Sequence, residues 1–297
     1  MPKRNGACWL CFWALVGLMI GGCTAPTPAP STAPVEAAPR KIKVLVYGGG
    51  VIHDFNGIHK VVMEILGACP QLELISVTDE LTPPPPAEPG KPAPRPGVKS
   101  AIDEMLAKLP ECDVLFFHHT GGKLTEQQEN ALCGAIASGK GFVGIHSAAD
   151  SFKQNAKYMD MLGGMFRTHP APWDIPATVL DPTHPIMKDV PKEFTVHDEQ
   201  YILKYDPAKV HVLVDAPYKL MKYNEVVEKD KDGKEVKKRV LTNEVQEEGR
   251  MPAVWTKPWE KGRVVYISFC HDSKATANEV VRKIVLQAVL WVGTPTP

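Results

Sequence analysis

The chain has 297 residues, 44% of them apolar, which is ample for a large hydrophobic core. Its 34 basic and 34 acidic side chains cancel, which removes the electrostatic attraction that a nucleic-acid partner needs. A small molecule is the expected ligand.

Residues 1–23 read as an export signal. Lys3 and Arg4 form a basic start, and Cys8 to Ile20 is an apolar stretch too short for a convincing membrane span. Ile20-Gly21-Gly22-Cys23 has the form of a lipobox, so Cys23 is the expected lipidation site, with an ordinary signal peptide cleaved nearby as the alternative. The protein is then exported and lipid-anchored to a bacterial membrane, on the periplasmic or cell-surface side. Residues 24–40 are Thr, Ala and Pro almost throughout, the composition of an extended tether.

The folded part begins at Lys41. Ile42 to Tyr47 is a β-branched run that leads into Gly48-Gly49-Gly50, and Ile58 to Leu66 follows with helical spacing and Asn56 as its expected cap. Neither GxGxxG nor GxxxxGKS/T is present, so nucleotide binding is not indicated. Leu72 to Val77 is a second strand, Pro83 to Pro96 a proline-rich loop, and Val98 to Leu109 a helix. Asp113 to Phe117 is a third strand ending in His118-His119. Thr125 to Ser138 is a helix with a capping box formed by Thr125 and Gln128. Phe142 to Ile145 is a fourth strand that stops at His146. This β-α-β-α-β-α-β order predicts a parallel sheet with helices on both faces.

Downstream, Tyr158 to Leu162 is a short helix, and Ile175 to Leu180, Glu193 to His197 and Val210 to Val214 are strands. His184 precedes a proline and shapes a turn. Residues 219–250 are rich in charge, with Asp232-Gly233 as a hairpin signal, and read as a solvent-facing insertion. Met251 to Trp255 and Arg263 to Phe269 are further strands, and Ala277 to Trp291 is a closing helix. Residues 41–293 are therefore expected to form one domain.

Three strand ends carry histidine: His53 after the first, His118 and His119 after the third, and His146 after the fourth. The carboxyl edge of an open α/β sheet is where ligands bind. Asp198-Glu199 is either a solvated turn or an acid/base or metal-binding element. Cys69, Cys112, Cys133 and Cys270 lack the spacing of a zinc site or a disulfide framework and read mostly as buried small residues, although export leaves room for one disulfide.

Read together, GKGFVGIHSAAD (139–150), YMDMLGGMFRTH (158–169), His184-Pro185-Ile186, Asp198-Glu199-Gln200-Tyr201, Pro252-Ala253-Val254-Trp255 and Gly262 to Tyr266 ending at His271 resemble the ThuA-like (trehalose utilisation) family. The resemblance covers Lys41 to Val292. It implies a flavodoxin-like three-layer sandwich with a mostly parallel central sheet, similar to class I glutamine amidotransferases. In those enzymes a nucleophilic Cys sits on the strand-to-helix turn. Here His146 takes that place, so glutamine hydrolysis is not expected. Cys270 adjoins His271, but strand alternation sends the two to opposite faces, which favours a core role for Cys270.

The resemblance implies carbohydrate as substrate, including 3-keto sugars, whose protons beside the carbonyl are acidic. Isomerisation, elimination or glycoside cleavage by acid/base chemistry follows, with His146 and His271 as the pair and Asp198 or Glu199 as base or orienting group. His53, His118, His169 and Tyr201 are the expected sugar-binding residues, while Trp255 is read as core. Two alternatives remain open. One is a divalent metal held by several His with a carboxylate, which no local spacing supports; the other is sugar binding without turnover.

Overall fold

The structure, a computed structural model, describes residues 40–86, 94–229 and 233–294. The signal segment with Cys23, the tether up to residue 39, part of the proline-rich loop and Asp232 lie outside the described residues. The first strands are β1 (Ile42–Gly49), β2 (Leu72–Thr78), β3 (Glu80–Thr82), β4 (Gly97–Lys99), β5 (Val114–His119), β6 (Gly141–Ile145) and β7 (Gly164–Thr168). They are followed by β8 (Trp173–Val179), β9 (Glu193–Asp198), β10 (Ile202–Tyr205), β11 (His211–Lys229), β12 (Glu235–Trp259) and β13 (Gly262–Ile267). The helices are α1 (Phe55–Gly67), α2 (Ile102–Lys108), α3 (Glu126–Ala137), α4 (Ala156–Leu162), α5 (Ser273–Ala277) and α6 (Glu279–Gly293).

One nine-stranded sheet has the order β2-β1-β5-β6-β13-β12-β11-β8-β9. Neighbours from β2 to β13 are parallel, and those from β13 to β9 are antiparallel. The expected parallel sheet is thus five strands wide, and an antiparallel extension makes the whole sheet mixed.

Strand alternation divides the core in two. Val44 and Val46, Val114 and Phe116, and Val143 and Ile145 pack with α1 and α6, where Val281, Ile284, Val285, Ala288 and Val292 recur at helical spacing. Leu45 and Tyr47, Leu115 and Phe117, and Phe142 pack with α2, α3 and α4 on the other face. Burial of this kind makes truncation of Ile284 to Ala cost about 2–5 kcal/mol.

Local chemistry moves several boundaries. Asp54, not Asn56, caps α1, its side chain accepting from the Gly57 N–H at 3.1 Å. Val98 belongs to β4, opposite Leu81, so α2 begins only at Ile102. The Asp79 carboxylate accepts the Ala101 N–H at 2.9 Å and so holds this entry. The capping box of Thr125 and Gln128 is present at α3. Asn278 caps α6 and separates it from α5, so the closing helix begins later than Ala277. The charged segment is a long ribbon in which β11 and β12 stay paired from Thr256 to Glu235. The four cysteines among the described residues are free thiols. No helix among the described residues is long and apolar enough to cross a membrane.

Candidate active site

Three loops leave the carboxyl ends of β1, β6 and β13, and a fourth segment, Asp198 to Tyr201, joins β9 to β10 and returns over them. Together they bring His53, His146, Glu199 and His271 so close that one donor atom from each lies within 4.8 Å of the others. The ring centres of His53 are 5.0 Å from His146 and 5.1 Å from His271, and His146 is 5.3 Å from His271.

His146 owes its position to the end of β6. At Ile145 the strand stops, and His146 adopts φ 39°, a left-handed conformation that costs a non-glycine residue about 1–3 kcal/mol. Its Nδ1 lies 2.7 Å from the Ser268 carbonyl oxygen, and its own carbonyl accepts from the Tyr266 hydroxyl at 2.8 Å. A carbonyl can only accept, so Nδ1 carries the proton and Nε2 presents a lone pair. That Nε2 is buried and has no hydrogen-bond partner among the described residues. Burial, and then the proximity of His53, hold the His146 imidazole well below its usual pKa, so it is neutral. Burial together with His271 pulls His53 down to about 4. The Tyr201 ring lies 3.9 Å from the His146 ring, and its hydroxyl is 3.4 Å from His53 Nε2.

Glu199 sits among the imidazoles. Its Oε2 is 2.9 Å from His271 Nδ1 and 3.8 Å from His146 Nε2, and its Oε1 is 3.3 Å from His169 Nδ1. The His271 contact is close without being aligned as a hydrogen bond, and His271 Nδ1 has no hydrogen-bond partner. The nearby carboxylate still raises the His271 pKa against the opposing effect of burial.

Of the two roles expected of Asp198, base or orienting group, the contacts are those of the second. Among the described residues it forms no ion pair with an imidazole; its carboxylate accepts the N–H groups of Glu199 at 2.8 Å, Cys270 at 2.7 Å and His271 at 3.2 Å. Burial raises its pKa to about 7 although these three bonds oppose the shift. Asp198 therefore positions Glu199 and His271 through the backbone. Cys270 is fully buried at φ 85°, and burial pushes its thiol pKa up, which fits a core role. Asp272 caps α5. Trp255 is buried and donates to the Leu162 carbonyl at 3.0 Å, as a core residue.

His118 is placed elsewhere. It is buried, with Nε2 2.9 Å from His59 Nδ1 and the Phe55 ring beside it, and it lines a small cavity of 130 Å³ together with His53. His59 was missed from sequence, although its position four residues after Phe55 on a helix gave a signal that both share one face. His169 is on the rim, half-exposed, beside a cleft of 420 Å³ lined also by Arg167, Tyr223, Arg239 and Gln246. The charged ribbon thus walls a cleft beside His169, where its sequence suggested solvent exposure alone. The Ser268 carbonyl that orients His146 has no side-chain signature in sequence.

A model of the family described as trehalose utilisation (ThuA) matches residues 98–292. Among solved structures, a ThuA-like protein of Parabacteroides merdae is similar at 16% identity and a TM-score of 0.61, covering 86% of this chain and 91% of that one. A ThuA-like protein of Bacteroides uniformis is similar at 18% identity and a TM-score of 0.60, covering 88% and 95%. These likenesses show a common fold. No curated protein matches the sequence.

Proposed function

The chain belongs to the ThuA (trehalose utilisation) family, and on that footing we propose that it processes carbohydrate at the pocket where His53, His146, Glu199 and His271 converge. The observation that carries this reading is the Glu199 carboxylate held against His146, His169 and His271 at a sheet edge, with His169 also lining a neighbouring cleft of 420 Å³. Its finer fold is, in this reading, the flavodoxin-like three-layer sandwich of class I glutamine amidotransferases. The thioester chemistry of those enzymes is not part of the proposal: His146 occupies the turn, and Cys270, beside His271 among the described residues, is buried with a raised pKa.

The chemistry proposed is proton transfer on a sugar or 3-keto sugar, leading to isomerisation, elimination or glycoside cleavage. Glu199 takes a proton from carbon or hydroxyl, and His169, half-exposed at 3.3 Å, exchanges it with solvent. His271, whose pKa Glu199 raises, donates to the oxygen on which charge develops, His146 Nε2 accepts from a sugar hydroxyl, and Tyr201 and His53 hold the ring beside them. An exported, lipid-anchored location through Cys23 belongs to the same proposal; loss of membrane association in Cys23→Ser checks it.

The test follows the full chain with 3-keto and unmodified disaccharides by mass spectrometry. Conversion that falls by about 10²–10⁴ in Glu199→Gln, with an unchanged melting temperature, supports the reading. Binding of sugars without any conversion would assign a sugar-binding protein instead, and neither binding nor conversion would sink the carbohydrate reading.

A further inference from the structure

We infer that His53, His146, Glu199 and His271 bind one divalent transition-metal ion. The inference deepens the reading of this pocket as a carbohydrate-processing site, but the binding of the ion stands or falls independently of it. Four donors from four separate segments converge within 4.8 Å. In a tetrahedral site with bonds of 2.0–2.1 Å, donors lie roughly 3.3 Å apart. The observed His271–Glu199 and His146–Glu199 separations of 2.9 and 3.8 Å bracket that value. The remaining donors lie up to 4.8 Å apart and would close on the ion by side-chain rotation.

Two further observations point to a ligand. His146 is 1% exposed, yet its Nε2 has no hydrogen-bond partner among the described residues, and His271 Nδ1, in a misaligned 2.9 Å ion-pair contact with Glu199, makes no hydrogen bond either. A buried polar atom without a partner costs about 1–3 kcal/mol, so two in one pocket call for something that satisfies both. The supporting contacts also have the form found behind metal ligands. His146 Nδ1 donates to the Ser268 carbonyl at 2.7 Å, which fixes the tautomer with Nε2 free, and Asp198 holds the His271 and Glu199 backbones. Three imidazoles with one carboxylate suit zinc, cobalt, nickel, manganese or iron(II) and disfavour calcium and magnesium, which take oxygen donors. With an ion bound, His53, His146, Glu199 and His271 would be its ligands and the ion would polarise a keto or hydroxyl oxygen of the sugar. Glu199 would then no longer serve as the base, and His169, half-exposed and outside the set, would take the proton and pass it to solvent.

The experiment uses the full chain without a histidine tag, stripped of metal by chelation and titrated with Zn²⁺ and Co²⁺ separately by calorimetry, with Co²⁺ also followed by its visible spectrum. One ion per chain is expected, with a rise in melting temperature and an imidazole-bearing Co²⁺ spectrum. In His146→Ala and Glu199→Gln the affinity should fall roughly 100-fold or more, whereas His59→Ala keeps it. Circular dichroism checks that each variant is folded. No uptake by the wild type, or equal uptake by His146→Ala, overturns the inference. No uptake of either ion together with conversion of a sugar by the metal-free protein overturns the inference and leaves the carbohydrate reading standing. Tight binding without conversion of any sugar does the reverse.

Discussion

His118 and His119 end β5, and His146 follows β6, the next strand in the sheet. The two groups have opposite fates. Strand β5 keeps its pleat through both histidines, so alternation sends His118 under α1 and His119 to the other face. There His118 and His59 lie 2.9 Å apart, and His59 Nε2 is 2.8 Å from the Ser76 hydroxyl. His119 Nδ1 is 3.1 Å from the Ser151 hydroxyl and its Nε2 3.3 Å from Asp79, with Tyr47 and Phe152 stacked on the ring. At β6 the pleat ends one residue earlier. His146 leaves it at φ 39° and turns over the sheet edge, toward three other groups and no hydrogen-bond partner for Nε2. Where a strand stops thus decides whether its histidine becomes structure or remains available.

The sharpest way to break this contrast is to remove one imidazole from each group. His146→Ala should lower sugar conversion by about 10²–10⁴, while His59→Ala should leave it within a few-fold, as initial rates would show. A comparable loss in His59→Ala would mean that the second group also serves the chemistry. Asp198→Ala comes next, because it strands three N–H groups that the carboxylate now accepts. It should cost about 3 kcal/mol in urea unfolding, and conversion should fall with it. Asp198→Asn, which keeps one acceptor oxygen, should recover part of both.

Asp79 is the counterpart of Asp198 in the other group. It accepts from the Tyr47 hydroxyl at 2.8 Å and the Ala101 N–H at 2.9 Å and lies beside His119. Burial alone would raise its pKa, but the bonds from His119, Ala101 and Tyr47 outweigh it and the pKa is lowered. A lowered carboxylate pKa adds stability that is fully present above the unfolded value of 3.8 and is lost as pH falls through the lower folded value. Asp79→Asn should therefore cost about 1–3 kcal/mol at neutral pH and flatten the acid limb of the unfolding curve below pH 4, with conversion unchanged.

The parallel strands, the Thr125 capping box and the histidines at strand ends were legible in sequence because each rests on short-range pattern: alternation, cap spacing, an apolar run that stops. The pairing of β7 with β10 was not, since Gly164–Thr168 and Ile202–Tyr205 are far apart and each is too short to show a period. The ThuA resemblance named His146, His271, Glu199 and His169 together, but not that Asp198 works through backbone N–H groups. That role depends on where the main chain of Cys270 and His271 passes, and no side-chain type encodes it. The partners of His118 and His119 were hidden because they are remote in sequence: His59 comes from α1, and Asp79 from the end of β2, two strands away.

The smallest effect tests whether the second group is held together by its hydrogen bonds or by its packing. Ser76 lies 2.8 Å from His59 Nε2 at an exposed position, so water can replace its hydroxyl. Ser76→Ala should then cost only about 0.5–1 kcal/mol in chemical denaturation, because His59 keeps His118 and the ring contacts with Phe55 and Phe116 remain. A cost above about 2 kcal/mol would show a cooperative network in which Ser76, His59 and His118 hold one another's tautomers. In that case the contrast between the two groups is one of hydrogen-bond order as well as of strand length.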